Sequence, residues 1–309
     1  MQSLRRRCAR YRLIPAAPAL LVHALLIGIT ALLAFQACAA EQPRYQRVLA
    51  IGGAVTEIVF ALGEQDRLVG RDSTSTYPPQ ALELPDVGYI RALSPEGVLS
   101  VEPDLILARE NNGPAEAVEV LKNSGVRWVD VPDDFSVQGI DDNIRIIADA
   151  LGVAEKGDAL RAKVRSEIAA VTEATESIKD KRRAMFVLTM RDNRVMASGV
   201  GTAAHGILTL AGAKNAISGF EGYKQLSDEA VINAAPEVIV MMQGRGQAET
   251  GDHGSANAAL EAHPALGATP AVRNGKILRL DGLLMLGFGP RTGEAALRLA
   301  RAIYPDAFD

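Results

Sequence analysis

Cysteine is nearly missing from this 309-residue chain: two are present, Cys8 and Cys38, and both fall within the first forty residues. Once that segment is removed no thiol remains, which excludes disulfides, thiolate metal sites and cysteine nucleophiles together. Histidine is scarce too, with only His205, His253 and His263 beyond residue 40. A bare zinc or manganese site draws on several histidines and carboxylates, and His253 and His263 sit in polar, Gly- and Ala-rich sequence. There is no Gly-x-Ser-x-Gly elbow, no His-Glu-x-x-His and no Walker loop, so hydrolase and nucleotide-hydrolysing readings have no support.

The first forty residues read as an export signal and stand apart from the fold. Arg5, Arg6, Arg7, Arg10 and Arg12 precede an apolar run from Leu20 to Phe35 and then Ala37-Cys38-Ala39-Ala40, a basic region, a hydrophobic region and a small-residue cleavage site. Cleavage near Ala39 or Ala40 is the expectation, and an uncleaved anchor is the alternative. Lipid attachment at Cys38 is disfavoured because Phe35-Gln36-Ala37 is a poor lipidation signal. Removing those five arginines from 33 basic residues leaves 28 against 37 acidic, a balance of about −9. Such a charge opposes nucleic-acid binding.

Beyond residue 40 the pattern is that of an α/β protein. Apolar strand-like segments at Val48 to Ile51, Leu68 to Val69, Asp104 to Ala108 and Trp128 to Val131 alternate with helical stretches, as in a mostly parallel sheet covered by helices. Between Ala154 and Lys179 no proline occurs, and Leu160, Val164, Ile168, Val171, Ala174 and Ile178 fall three or four apart. This predicts one amphipathic helix of roughly 25 residues, about 38 Å long. Ala184 to Thr189 and Arg194 to Ala197 then read as a hairpin turning at Asp192-Asn193, followed by a second α/β series.

The two halves echo one another. Leu93-Ser94-Pro95-Glu96-Gly97-Val98, running on to Pro103-Asp104-Leu105-Ile106-Leu107, recurs 133 positions later as Leu226-Ser227-Asp228-Glu229-Ala230-Val231, running on to Pro236-Glu237-Val238-Ile239-Val240. Six of the fifteen aligned positions are identical. The physical reading is a short capped helix, a proline that stops it and a buried strand, used once per lobe.

Arg47 to Ile51 followed by Thr56-Glu57-Ile58-Val59-Phe60-Ala61-Leu62-Gly63, then Thr76-Tyr77-Pro78-Pro79, Val87-Gly88-Tyr89 and Leu93-Ser94-Pro95-Glu96, resembles the periplasmic binding proteins that deliver cobalamin, siderophores and haem to ABC importers. The similarity covers nearly all of the chain after residue 40. Val87 to Arg91, Gly201 to His205 and Leu286-Gly287-Phe288-Gly289-Pro290-Arg291-Thr292 most resemble the haem-binding branch. The resemblance implies a class III periplasmic binding protein: two Rossmann-like lobes, residues 41–152 and 181–309, joined by a single long helix at 153–180. Haem would be a transported ligand held between the lobes, with no catalytic cofactor. It implies a monomer whose partners are an ABC permease with its ATPase, fed by an outer-membrane haem receptor system. One carboxylate per lobe, Glu96 and Glu229, would dock on the permease. A first-turn carboxylate also complements the helix dipole, so a purely structural role stays open.

Tyr77 is the candidate iron ligand. It lies in a segment without strand or helix pattern, where Pro78 and Pro79 fix the backbone, and a phenolate is a hard anionic donor suited to ferric haem. A free phenol loses its proton only near pH 10, so ligation calls for the ferric charge and a neighbouring cation; Arg71, Arg91 and Arg245 are the candidates. His205, at the start of a helix on the second lobe, matches the position of a second ligand in some haem-binding relatives. Met242, Met285 and Phe288 would supply apolar surface to the porphyrin face, with Arg91 and Arg245 at its edge. For each of these residues ordinary packing is the competing reading.

Two other functions stay in view. Gly199-Val200-Gly201-Thr202-Ala203-Ala204 matches a dinucleotide fingerprint, with Glu221 beyond it to hold a ribose, as in an exported NAD-dependent oxidoreductase. The preceding strand reads as half of a hairpin, which is the wrong context. Ferric siderophore and cobalamin are the rival cargoes. Trp128 is the only tryptophan and sits in a strand, against a tryptophan-lined pocket for a corrin.

Overall fold

The first half builds a sheet from strands that are apolar on both faces. In β1 (Val48–Ile51) and β3 (Leu105–Arg109) every residue is buried, the signature of a parallel sheet covered on both sides. The computed structural model, which describes residues 45–243 and 254–308, places them at the centre of an all-parallel sheet in the order β2-β1-β3-β4, with β2 at Leu68–Arg71 and β4 at Arg127–Val131. Helices α1 (Gly53–Ala61), α2 (Pro95–Leu99) and α3 (Ala115–Lys122) connect them. Residues 1–44, with Cys8 and Cys38, and residues 244–253, with Arg245 and His253, lie outside the described residues.

Two helices carry the chain to the second half. In α4 (Val137–Leu151) Ile140, Ile144, Ile147 and Leu151 are buried at helical spacing; Ser136 caps its start by accepting from Gly139 N, and Gly152 ends it at φ 72°, the left-handed conformation glycine adopts without steric cost. Helix α5 (Ala154–Glu176) has 23 residues, about 35 Å. It stops three residues before the sequence pattern does. Ile178 N bonds Thr175 O in a tight turn that swings the chain toward the next strand. Its buried stripe also passes through Thr175 in place of Ala174, because Gly212 presses against the Thr175 side chain. Asp141 of α4, 4% exposed, receives Arg161 at 2.6 Å and Arg165 at 3.1 Å from α5.

The second sheet is mixed, in the order β10-β9-β5-β6-β8 with β7 beside β5. Its strands are β5 (Arg183–Arg191), β6 (Arg194–Ser198), β7 (Lys214–Asn215), β8 (Tyr223–Leu226), β9 (Val238–Met242) and β10 (Ile277–Leu280). The β5–β6 hairpin turns through Asp192 and Asn193, both at positive φ, as a two-residue type I′ turn requires. Helices α6 (Ala203–Leu210), α7 (Asp228–Ala234), α8 (Gly254–Ala262), α9 (Pro270–Arg273), α10 (Gly282–Leu286) and α11 (Thr292–Ile303) complete it.

The sequence echo extends to the hydrogen bonds. Glu102 and Ala235, 133 positions apart and each followed by proline, both adopt positive φ (47° and 39°). The carbonyl of Glu102 accepts from Arg47 Nε at 2.7 Å and that of Ala235 accepts from Arg183 Nη2 at 3.0 Å. Asp104 N then bonds Arg47 O, and Glu237 N bonds Arg183 O, each at 2.8 Å. The same helix-stop-strand unit has thus been built twice. One hydrophobic core runs through both halves, from Val48 and Leu105 through Ile144 and Val164 to Phe186, Ala204 and Leu299. Among the described residues no helix is long and apolar enough to cross a membrane.

Candidate functional site: an interlobe cleft

In parallel sheets ligands gather beyond the carboxyl ends of the strands. That is where a cleft of about 1320 Å³ opens, larger than the roughly 300–1,000 Å³ of a pocket for a drug-sized molecule. The first lobe contributes Gly52 and Gly53 after β1, Thr74 and Thr76 after β2, Arg109 and Asn111 at the end of β3, and Asp133 and Phe135 after β4. The second lobe faces them with Thr202, Ala203, Tyr223, Met242, Leu283 and Leu286. The walls are mostly apolar, with charge concentrated on the first-lobe side.

The floor is tightly fitted. Gly52 has φ 111°, and a Cβ there would lie 2.5 Å from Arg109 Cγ; a Cβ on Gly53 would lie 2.3 Å from Leu283 Cδ1. Only glycine allows β1 to enter α1 this close to both side chains. Arg109, 7% exposed, donates from Nε to Asp133 at 2.6 Å and from Nη1 to the Gly287 carbonyl at 3.1 Å, tying the two lobes. Asp72, fully buried, accepts from Gly52 N, Thr74 N, Thr74 Oγ1 and Ser75 Oγ between 2.6 and 2.9 Å. One carboxylate therefore pins the loop leading to Tyr77 onto the end of β1.

Tyr77 is 41% exposed and follows the cleft-lining Thr76, with a cis bond to Pro78. Its ring lies under the Arg291 guanidinium, 3.4 Å from Cζ to the ring centroid. Arg291 in turn grips Glu57 of α1 with two hydrogen bonds of 2.6 and 2.8 Å. Glu57 is 6% exposed, and burial pushes its carboxyl up despite the hydrogen bonds and charge of Arg291. Burial also opposes the charge on Arg291, but the bonds to Glu57 outweigh it and raise its pKa.

Among the described residues the cation over the Tyr77 ring is Arg291, and Arg245 lies outside those residues. Arg71 is held by Asp86 at 3.1 Å and by the Asp72 carbonyl; Arg91 lines the cleft and faces Tyr223 electrostatically. Arg291 sits in the segment that resembled the haem branch, yet nothing in its spacing gave it a role. A signal for its partner was present: Glu57 is a lone carboxylate inside the apolar run Val55 to Ala61, which calls for a buried cation. The Tyr223 hydroxyl bonds Thr202 and the Ala204 backbone, while burial raises its pKa.

Of the other candidates, Met242 lines the cleft and Met285 and Phe288 do not. Both of the latter are 1% exposed and belong to the core. Phe288 packs edge-on against Phe135 at 5.4 Å and lies against Gly206, so the short helix α10 presents Leu283 and Leu286 to the cleft in their place, with Gly287 just after it. His205 starts its helix by donating its backbone N–H to Thr202 Oγ1, and its Nδ1 lies 3.4 Å from Asn215 Nδ2. His205 is not among the residues that line the cleft. Glu96 and Glu229 are exposed in the first turns of α2 and α7. Neither has an ion-pair partner among the described residues. The dinucleotide-like segment follows β6, an antiparallel hairpin strand, so it does not open a βαβ unit. Trp128 on β4 is half-buried against the core of the first sheet, with Nε1 on Asp130 and Lys122 over its ring.

Two α/β lobes, a long connecting helix and a cleft at the strand ends define a solute-binding protein. Residues 48–283 match the periplasmic binding protein family, and the chain belongs to it. Members are binding proteins of ABC importers and not enzymes. An uncharacterized ABC transporter substrate-binding lipoprotein, YvrC of Bacillus subtilis, is 29% identical over 85% of this chain and 81% of that protein. A vitamin B12-binding protein of Salmonella choleraesuis is 29% identical over 65% of this chain and 74% of that protein. Among solved structures, the periplasmic heme-binding protein RhuT from Roseiflexus superposes with a TM-score of 0.78 at 36% identity, covering 85% of this chain and 99% of that one. The periplasmic heme-binding protein BhuT, solved with two hemes, gives 0.77 at 39% identity with the same coverage.

Proposed function

We propose that the protein captures ferric haem in the interlobe cleft and delivers it to an ABC permease in the bacterial envelope. The observation that carries this reading is Tyr77: a half-exposed phenol next to the cleft-lining Thr76, stacked on a guanidinium that can offset the charge of a phenolate. When its oxygen bonds iron the phenol proton leaves to solvent, and the anionic donor suits a hard ferric centre. Thr202, Met242, Leu283 and Leu286 line the cleft and would face the macrocycle, and Arg91, which lines it too, would meet a propionate. The likeness to heme-binding structures at 36% and 39% identity supports the same cargo. Glu96 and Glu229, repeated on the two lobes, are the docking points for the permease.

Cobalamin is the second reading, favoured by the vitamin B12-binding relative. The packing of Trp128 against the first-lobe core weighs against it, since the cleft has no tryptophan among the described residues. An absorption titration with haem, cobalamin and a ferric siderophore in parallel decides between them. Haem is expected to saturate the protein with a tyrosinate-type visible spectrum; saturation by cobalamin with no haem uptake would reverse the assignment.

A further inference from the structure

Glu57 and Arg291 are 234 positions apart and come from opposite lobes, yet they meet as a bidentate pair whose guanidinium lies over the Tyr77 ring. The pair is costly unless it serves a purpose. Glu57 is 5% and Arg291 19% exposed at the side chain, and two charges taken out of water must recover their hydration through geometry. The fork of Arg291 is turned toward the Glu57 carboxylate by Nε and Nη2, which fixes its plane. A guanidinium plane 3.4 Å from a ring centroid in turn restricts how that ring can rotate. Pro78 and Pro79 limit the backbone on the other side of Tyr77.

We propose that Glu57 and Arg291 are positioning residues for Tyr77: Glu57 orients Arg291, and Arg291 holds the phenol ring from the opposite lobe so that its oxygen is presented to iron in one direction. This deepens the haem reading and rests on it. Neither residue bonds the ligand. The arrangement lowers the entropic cost of capture, because the donor is already ordered when the ligand arrives. Arg291 also provides the counter-charge that the phenolate needs, at no cost in reorganisation.

The test uses the exported protein and four variants: Glu57→Gln, Arg291→Lys, Tyr77→Phe and, as a control, Arg161→Lys. The control weakens a different buried ion pair, Arg161 with Asp141 in the α4–α5 contact. Two quantities are read: the ring NMR signals of Tyr77 in the ligand-free protein, assigned with Tyr77→Phe, and the rate of ferric haem release to an excess of apomyoglobin. Glu57→Gln keeps the shape of the side chain but loses its charge, and Arg291→Lys keeps the charge but loses the planar fork. Both are expected to move the Tyr77 ring signals and to speed release about tenfold, equivalent to about 1.4 kcal/mol. Arg161→Lys should change neither.

Wild-type ring signals or wild-type release in both Glu57→Gln and Arg291→Lys would overturn the positioning role. An equal effect from Arg161→Lys would reduce it to general destabilisation and overturn it as well. Tyr77→Phe separates the two layers of argument. If it keeps the wild-type haem spectrum, the ligand assignment itself falls; if it abolishes the tyrosinate spectrum while the other variants behave as wild type, only the positioning role falls.

Discussion

Replacing Phe288 by Ala separates a packing residue from a ligand-contacting one. The side chain is 1% exposed, its ring meets Phe135 edge-on at 5.4 Å, and Gly206 leaves room for it where any Cβ would collide. Truncating a buried phenylalanine costs about 3–5 kcal/mol, a figure that already contains the about 0.5–1.5 kcal/mol of an aromatic pair. Alanine brings no relief of the positive φ of 50° at this position, since it too carries a Cβ. For a chain of this size each kcal/mol shifts the melting temperature by about 2–4 °C, so a fall of about 6–20 °C is expected. Calorimetry gives that fall, and a haem titration below the new transition should give an affinity within a few fold of wild type. An unchanged melting temperature combined with lost haem binding would refute the reasoning, because it would put the ring against the ligand.

Two further outcomes follow from the same geometry. Replacing Glu96 and Glu229 together by Ala should leave haem affinity intact and abolish uptake in a transport assay; a loss of affinity would make them pocket or fold residues. In acid, Glu64 and Glu237 lie below the ordinary carboxylate value: burial works against this, and is outweighed by hydrogen bonds from Lys156 and Arg67 to Glu64, and from the Arg183 backbone and Arg182 to Glu237. Folding stability from such groups is complete above their ordinary value of 4.5 and is lost as pH falls through the lower folded value. Urea midpoints should therefore drop from about pH 5 downward, and Glu64→Gln should flatten the drop; a flat profile in the native protein would contradict it. Glu57, pushed up by burial, acts with the opposite sign.

The fold was largely legible because its signals are local. Four-residue apolar strands, a 3.6-residue period in α5 and an Asp-Asn turn each report on a few adjacent residues, and the repeated Leu-Ser-x-Glu unit revealed the internal duplication. The last turn of α5 was misread because Gly212, distant in sequence, packs against Thr175 and sets which residue of that turn is buried. The site was half legible. Met242 lines the cleft from a strand end and Tyr77 follows the lining Thr76, whereas Met285 and Phe288 turned inward, because apolar composition does not say which face of a five-residue helix meets the core. Arg291 was missed as the cation over Tyr77 since its partner Glu57 is 234 positions away. Long-range pairing of charges leaves almost no trace in a single sequence.

The haem-loaded crystal structure would speak most directly to the cargo assignment. The account predicts iron bonded to the Tyr77 phenolic oxygen, with Arg291 still stacked on the ring. Iron held by a different side chain, or haem bound outside the cleft, would contradict it.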